Sequence, residues 1–196
     1  MNHDEILKKY NLSISTIRCT FLGRPMGQTF AALHVFEKVF LEYPFKQLIE
    51  FGTWKGGLSM YFLLYCLSEN AKFTTYDTLK LPAYIDDNKK DILRHVLHFD
   101  KYFKNKDIFK EKKNIVNSIQ SAGRTFLFCD GGDKQLEFNT FAPLLKQDDI
   151  IAVHDWNTEI FLSQIIDTIN SYKLEMIYEE DCLLYDNNIR IFKKLI

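Results

Sequence analysis

The chain has 196 residues, 46% hydrophobic and 26% charged, with a formal net charge of −1 at pH 7. That length suits one domain, and the composition is that of a folded chain rather than a disordered or fibrous one. The near-neutral charge lacks the basic footprint of a nucleic-acid binder, and the longest apolar run, Met60 to Leu67, is too short to span a bilayer.

The polar start MNHDEILKKY reads as a short helix rather than a signal peptide, so the expectation is a cytoplasmic protein. Gly23, Pro25 and Gly27 then break the chain, and Thr29 to Leu41 carries apolar residues at helical spacing up to Pro44. FKQLIEF (45–51) predicts a strand, Gly56 to Ser68 a helix, and KFTTY (72–76) a second strand. Asp91 to Phe103 predicts a helix, DIF (107–109) a short third strand, and Lys113 to Ser121 a helix. The lysines from Lys104 to Lys113 read as a solvated turn around that strand. RTFLFC (124–129) and DIIAV (149–153) are buried strands, with helices predicted over Gln135 to Leu145 and Thr158 to Tyr172. Leu174 to Tyr178 and Ile189 to Phe192 are strands with no helix predicted between them, and Asp186-Asn187-Asn188 precedes the second as a turn.

Strands alternating with helices and apolar throughout imply an α/β domain with a doubly wound, mostly parallel seven-stranded sheet, closed by an antiparallel C-terminal hairpin. One domain is expected, with residues 1–44 as an N-terminal helical arm or cap and residues 45–196 as the core. Cys19, Cys66, Cys129 and Cys182 show neither a CxxC pair nor zinc spacing, which predicts buried free thiols.

The chemistry gathers at the carboxyl ends of the predicted strands, where open α/β sheets bind ligands. The first strand ends in Glu50-Phe51-Gly52-Thr53-Trp54-Lys55-Gly56-Gly57, a glycine-rich turn onto a helix N-terminus but not the GxGxxG of dinucleotide binders. An acid at Glu50 needs a cationic or hydrogen-bonding partner. S-adenosylmethionine (SAM) offers an amino group and a sulfonium, whereas a pyrophosphate would be repelled. Asp77, at the end of the second strand, stands where a carboxylate reaches an adenosine ribose. Asp130-Gly131-Gly132-Asp133-Lys134 and His154-Asp155-Trp156 end two strands that should be neighbours. Asp130, His154 and Asp155 there suit a divalent cation such as Mg or Mn. His154 or Asp133 is alternatively a general base, with Lys134 orienting an acid. Helix capping is the plainer role for the acids, and Trp156 is either a packing lid or a stacking platform.

Together IEFGTWKGG, YDT, FLFCDGGDK and TFAPLLKQDDIIAVHDW resemble class I SAM-dependent methyltransferases, in the group labelled cephalosporin-hydroxylase-like, which includes sugar O-methyltransferases and is related to catechol O-methyltransferase. The resemblance implies a Rossmann-like fold. It places the methionine part of SAM on Glu50, Gly52, Thr53, Gly56 and Gly57, with Trp54 in the same turn, and the ribose on Asp77. Asp130 borders the cofactor, and Asp130 and Asp155 match positions that bind a divalent metal in several relatives, while His154 stands where those relatives often carry an acid. The family's usual DGxH histidine is Asp133 here. The resemblance further implies that Phe21 to Thr29 line the acceptor pocket, residues 80–104 form a lid, and residues 1–24 an oligomer arm. Transfer to a hydroxyl of a sugar or similar small molecule is expected. The alternatives are a non-catalytic SAM- or nucleotide-binding or assembly protein on the same fold, and a nicotinamide-dependent oxidoreductase.

Overall fold

A computed structural model describes residues 19–79, 98–185 and 187–196. The predicted helix at residues 2–10, most of the lid candidate and residues 91–97 of the predicted helix lie outside the described residues.

Two short antiparallel strands, β1 (Thr20–Phe21) and β2 (Arg24–Pro25), lead into α1 (Phe30–Glu42). Thr29 caps that helix by accepting a hydrogen bond from the Ala32 amide at 3.2 Å. The core elements follow: β3 (Gln47–Phe51), α2 (Gly57–Ser68), β4 (Lys72–Asp77), β5 (Phe103–Asn105), α3 (Lys112–Ser121), β6 (Thr125–Cys129), α4 (Lys134–Phe141), β7 (Ile150–Val153), α5 (Leu162–Ser171), β8 (Leu174–Ile177), α6 (Glu179–Leu184) and β9 (Arg190–Lys194). The seven-stranded sheet has the order β5-β4-β3-β6-β7-β9-β8. The five strands from β5 to β7 are parallel, and β9 runs antiparallel to both of its neighbours. The expected mostly parallel sheet with a C-terminal antiparallel pair is therefore present. The order reverses between β3 and β6, which puts the ligand crevice beside Gly52 and Asp130.

Side-chain alternation sends each strand into two cores. Leu48, Phe126, Phe128, Ile150, Ala152 and Ile191 face α1, α2 and α6; Ile49, Phe51, Leu127, Cys129, Ile151, Val153 and Phe192 face α3, α4 and α5. Phe36 of α1 meets Phe62, Phe126 and Phe128 edge-on, with centroids 5.1–6.1 Å apart, a preferred aromatic geometry. All four cysteines are buried, and none is in a disulfide. Among the described residues no helix is long and apolar enough to cross a membrane.

Four predicted elements need correction. The third strand is Phe103–Asn105, pairing with Thr75–Asp77, not residues 107–109. In that segment Asp107 accepts the Phe109 amide at 2.9 Å, a side-chain turn that competes with strand pairing. Residues 99–101 form a single 3-10 turn rather than the end of a helix. The short helix α6 separates β8 from β9, favoured by Glu179, Glu180 and Asp181 in its first turn. Finally, α5 begins at Leu162 rather than Thr158. Positive φ at Asp155 (58°) and Asn157 (62°) folds residues 155–160 into a tight turn, whose Thr158, Glu159 and Ile160 amides all bond the Asp155 carbonyl.

Candidate functional site

The crevice holds two cavities that share Gly52. The first, about 300 Å³, is lined by Gly52, Tyr76, Asp77, Asp107, Ile108, Gly131, Asp133 and Glu137, among others. The second, about 340 Å³, is lined by Met26, Gly27, Glu50, Gly52, Thr53, Trp54, Leu58, Asp130, His154, Asp155 and Glu159. Gly52 has φ +90°, and a Cβ there would lie 2.1 Å from the Asp130 carbonyl oxygen. Only glycine lets the β3 turn pass this close to the end of β6. Gly57 serves packing: a Cβ there would lie 2.3 Å from the Pro25 carbonyl oxygen, so its lack of a side chain seats the β1–β2 hairpin on α2.

Glu50 is 1% exposed. Ser59 Oγ donates to its carboxyl at 2.5 Å, and no cation pairs with it among the described residues. Burial pushes its pKa up to about 8, against partial relief from Ser59 and Thr75. Thr53 and Thr75 hydroxyls meet at 2.6 Å beneath the turn. Asp77 projects into the first cavity and accepts the Trp54 amide at 2.9 Å and the Leu79 amide at 2.8 Å, so it also holds the glycine turn. Trp54 itself is exposed, with Lys55 over its ring and Gly27 against its edge.

At the ends of β6 and β7 the expected convergence occurs. His154 Nδ1 lies 2.9 Å from Asp130 Oδ1 and 3.3 Å from Asp155 Oδ1. Donor atoms of Asp130, His154 and Asp155 lie within 4.8 Å of one another, a spacing that fits a divalent cation. Gln28 Nε2 donates to Asp130 Oδ2 at 3.3 Å. Lys134 Nζ lies 2.8 Å from Asp155 Oδ2, 2.8 Å from Glu159 Oε2 and 3.1 Å from the Gly131 carbonyl oxygen. Burial alone would lower the His154 pKa, but the Asp130 charge and hydrogen bond, helped by Asp155, raise it. Burial raises Asp130 despite His154 and Lys134. The Lys134 ammonium loses hydration, yet its bonds to Asp155 and Glu159 more than offset that and hold it charged.

Asp133 stands apart from this cluster. Its carboxylate caps α4, accepting the Leu136 amide at 2.9 Å, and borders the first cavity. Gly56 caps α2 in the left-handed conformation. Trp156 is 7% exposed, packed near Phe192 and under Arg190, so it is a packing residue rather than an open platform.

Three contributors were not singled out from the sequence. Gln28 reaches Asp130 from across the chain, with no local signal beyond its place after Gly27. Glu159, although exposed, reaches Lys134 from the turn that the positive φ values fold. Glu137 is 2% exposed, accepts the Gly131 amide at 3.2 Å and has its pKa pushed by burial to about 7.

No protein-family model and no curated protein sequence matches the chain. Solved structures do match. A candidate caffeoyl-CoA O-methyltransferase from Staphylococcus aureus is 15% identical with TM-score 0.57, covering 99% of this chain and 93% of that one. CmcI solved with Mg and SAM is 12% identical with TM-score 0.64, covering 97% of this chain and 84% of its own. A candidate O-methyltransferase from Klebsiella pneumoniae is 9% identical with TM-score 0.58, covering 98% and 96%. At these identities the likeness speaks for architecture: the chain has the Rossmann-like fold of these proteins.

Proposed function

We propose that the chain is a SAM-dependent methyltransferase acting on a hydroxyl of a small-molecule acceptor, a sugar or similar metabolite. One observation carries the reading. Two cavities meet over Gly52, the first offering Asp77 to a ribose and the second offering a buried, uncompensated Glu50 to a cation. A ligand with an adenosine at one end and an amino-acid ammonium at the other satisfies both. The bound ligands of CmcI and the O-methyltransferase names among the fold neighbours support it.

In this reading Glu50 receives the ammonium, Asp77 the ribose hydroxyls, and the wall of Met26, Gly27 and Trp54 leaves the acceptor beside His154. His154 Nδ1 is fixed by two carboxylates, so the other ring nitrogen is the one that can accept the acceptor's proton. The acceptor oxygen forms a bond to the methyl carbon as the carbon–sulfur bond breaks. The electron pair stays on sulfur and the proton goes to His154. In place of the base role for His154, Asp130, His154 and Asp155 would together hold a Mg or Mn ion, which when bound lowers the cost of ionising a hydroxyl.

Isothermal titration with SAM and with S-adenosylhomocysteine tests the reading; absence of binding at millimolar concentration for both ends it. A mass-spectrometric methylation screen over sugars, phenols and amines then separates an enzyme from a protein that only binds.

A further inference from the structure

The acid cluster is already served by a cation of the chain's own. Each carboxylate oxygen of Asp130 and Asp155 faces a donor: His154 on both Oδ1 atoms, Gln28 on Asp130 Oδ2 and Lys134 on Asp155 Oδ2. The Lys134 side chain is 5% exposed, and its three N–H donors are matched by Asp155, Glu159 and the Gly131 carbonyl. Its Nζ is also 3.8 Å from Asp130 Oδ1. A divalent ion on Asp130, His154 and Asp155 would sit within a few ångströms of this ammonium. It would have to tolerate that charge or displace it from Asp155.

We propose that Lys134 is the resident cation of this cluster, competing with divalent metal for Asp155 and keeping metal affinity low. Charge neutralisation beside the acceptor is then permanent rather than dependent on metal supply. The placement of Lys134 has a local cause. Asp133 caps α4 and starts the helix at Lys134, so the lysine side chain lies under the turn that delivers Glu159.

The test is Mn²⁺ binding, read by electron paramagnetic resonance and calorimetry without turnover. It compares the wild type with Lys134→Gln, which supplies an uncharged amide donor in place of the ammonium, and Lys134→Arg, which keeps the charge. The expected result is weak wild-type binding, Lys134→Gln tighter by at least about tenfold, and Lys134→Arg like wild type. Adding Asp155→Asn to Lys134→Gln should abolish the gain. Wild-type binding tighter than about 100 μM would overturn the proposal, as would Lys134→Gln binding no more tightly than wild type. Circular dichroism confirms folding. Should Lys134→Gln not fold, Glu159→Gln is the second variant: it frees one donor of Lys134 at an exposed partner and should leave metal affinity low, and a gain there equal to a charge loss would overturn the idea. Titration of S-adenosylhomocysteine on the same samples reports separately on the methyltransferase reading.

Discussion

Replacing Glu50 by Gln should uncouple cofactor binding from pH. In the folded chain without ligand, Glu50 titrates at about 8 because burial disfavours its charge. At pH 7 it is therefore about 90% protonated, and an ammonium arriving beside it must expel that proton. Binding of S-adenosylhomocysteine at pH 7 should release about 0.9 proton, and affinity should rise about ninefold from pH 6 to pH 7. The sign for stability runs the other way. A carboxyl raised from 4.5 to about 8 contributes its full stability below pH 4.5 and loses it as pH rises toward 8, a change of up to about 5 kcal/mol. Glu50→Gln should bind more weakly, release about 0.9 fewer protons at pH 7, and lose less stability than wild type between pH 5 and pH 8. Calorimetry in two buffers of different ionisation enthalpy measures the proton count, and thermal unfolding across pH measures the rest. Taking the difference between the two proteins removes the titration of His154 and Asp130, which both share. Equal proton release in wild type and Glu50→Gln would refute the idea that the ligand's positive charge rests on Glu50.

Other substitutions probe separate parts of the site. Asp77→Ala should weaken S-adenosylhomocysteine by about ten- to a hundredfold, since each charge-assisted hydrogen bond contributes about 1.5–3 kcal/mol; unchanged affinity by calorimetry would misplace the ribose. His154→Gln should lower methyl transfer by about 10²–10⁴-fold while leaving product affinity nearly unchanged, as single-turnover kinetics would show. Gly52→Ala should cost about 2–4 kcal/mol in urea denaturation, because its Cβ would fall 2.1 Å from the Asp130 carbonyl oxygen. Asp149→Ala should cost about 3–5 kcal/mol, because this fully buried carboxylate accepts the Thr125 amide at 2.7 Å and the Lys146 amide at 2.8 Å and pairs with the Lys146 ammonium at 3.0 Å.

How much of this was legible in the sequence depends on the range of the forces involved. Strands β3, β4, β6 and β7 were readable because both faces are buried, which leaves near-continuous apolar runs such as TFLFC and IIAV. Glu50, Asp77, Asp130, His154 and Asp155 were readable as rim residues because strand ends in such a sheet share one edge. Strand β5 was misplaced because DIF has the more strand-like composition, while pairing is decided by the neighbouring Thr75 and Tyr76. Helix α6 was missed because six residues carry too little periodicity to be seen. The contact of Glu159 with Lys134 rests on backbone conformation at Asp155 and Asn157, and the contact from Gln28 spans 102 positions. Neither leaves a local pattern.

The two halves of the second cavity differ in how their charge is balanced, and that difference orients a ligand. Asp130, Asp155 and Glu159 lie on one side, but Lys134 and His154 bond directly to them. Glu50 lies on the other, buried, with only hydroxyl donors around it among the described residues. An incoming cation therefore has its open partner at Glu50, where it displaces the carboxyl proton and pairs with the charge that is left. With the ammonium anchored there and the ribose held at Asp77, the atom joining the two halves of the ligand must pass over Gly52. Gly52 lies against the Asp130 carbonyl, in the cavity that His154 also lines. The orientation of the cofactor in the proposed reaction thus follows from which acid the fold leaves without a cation among the described residues.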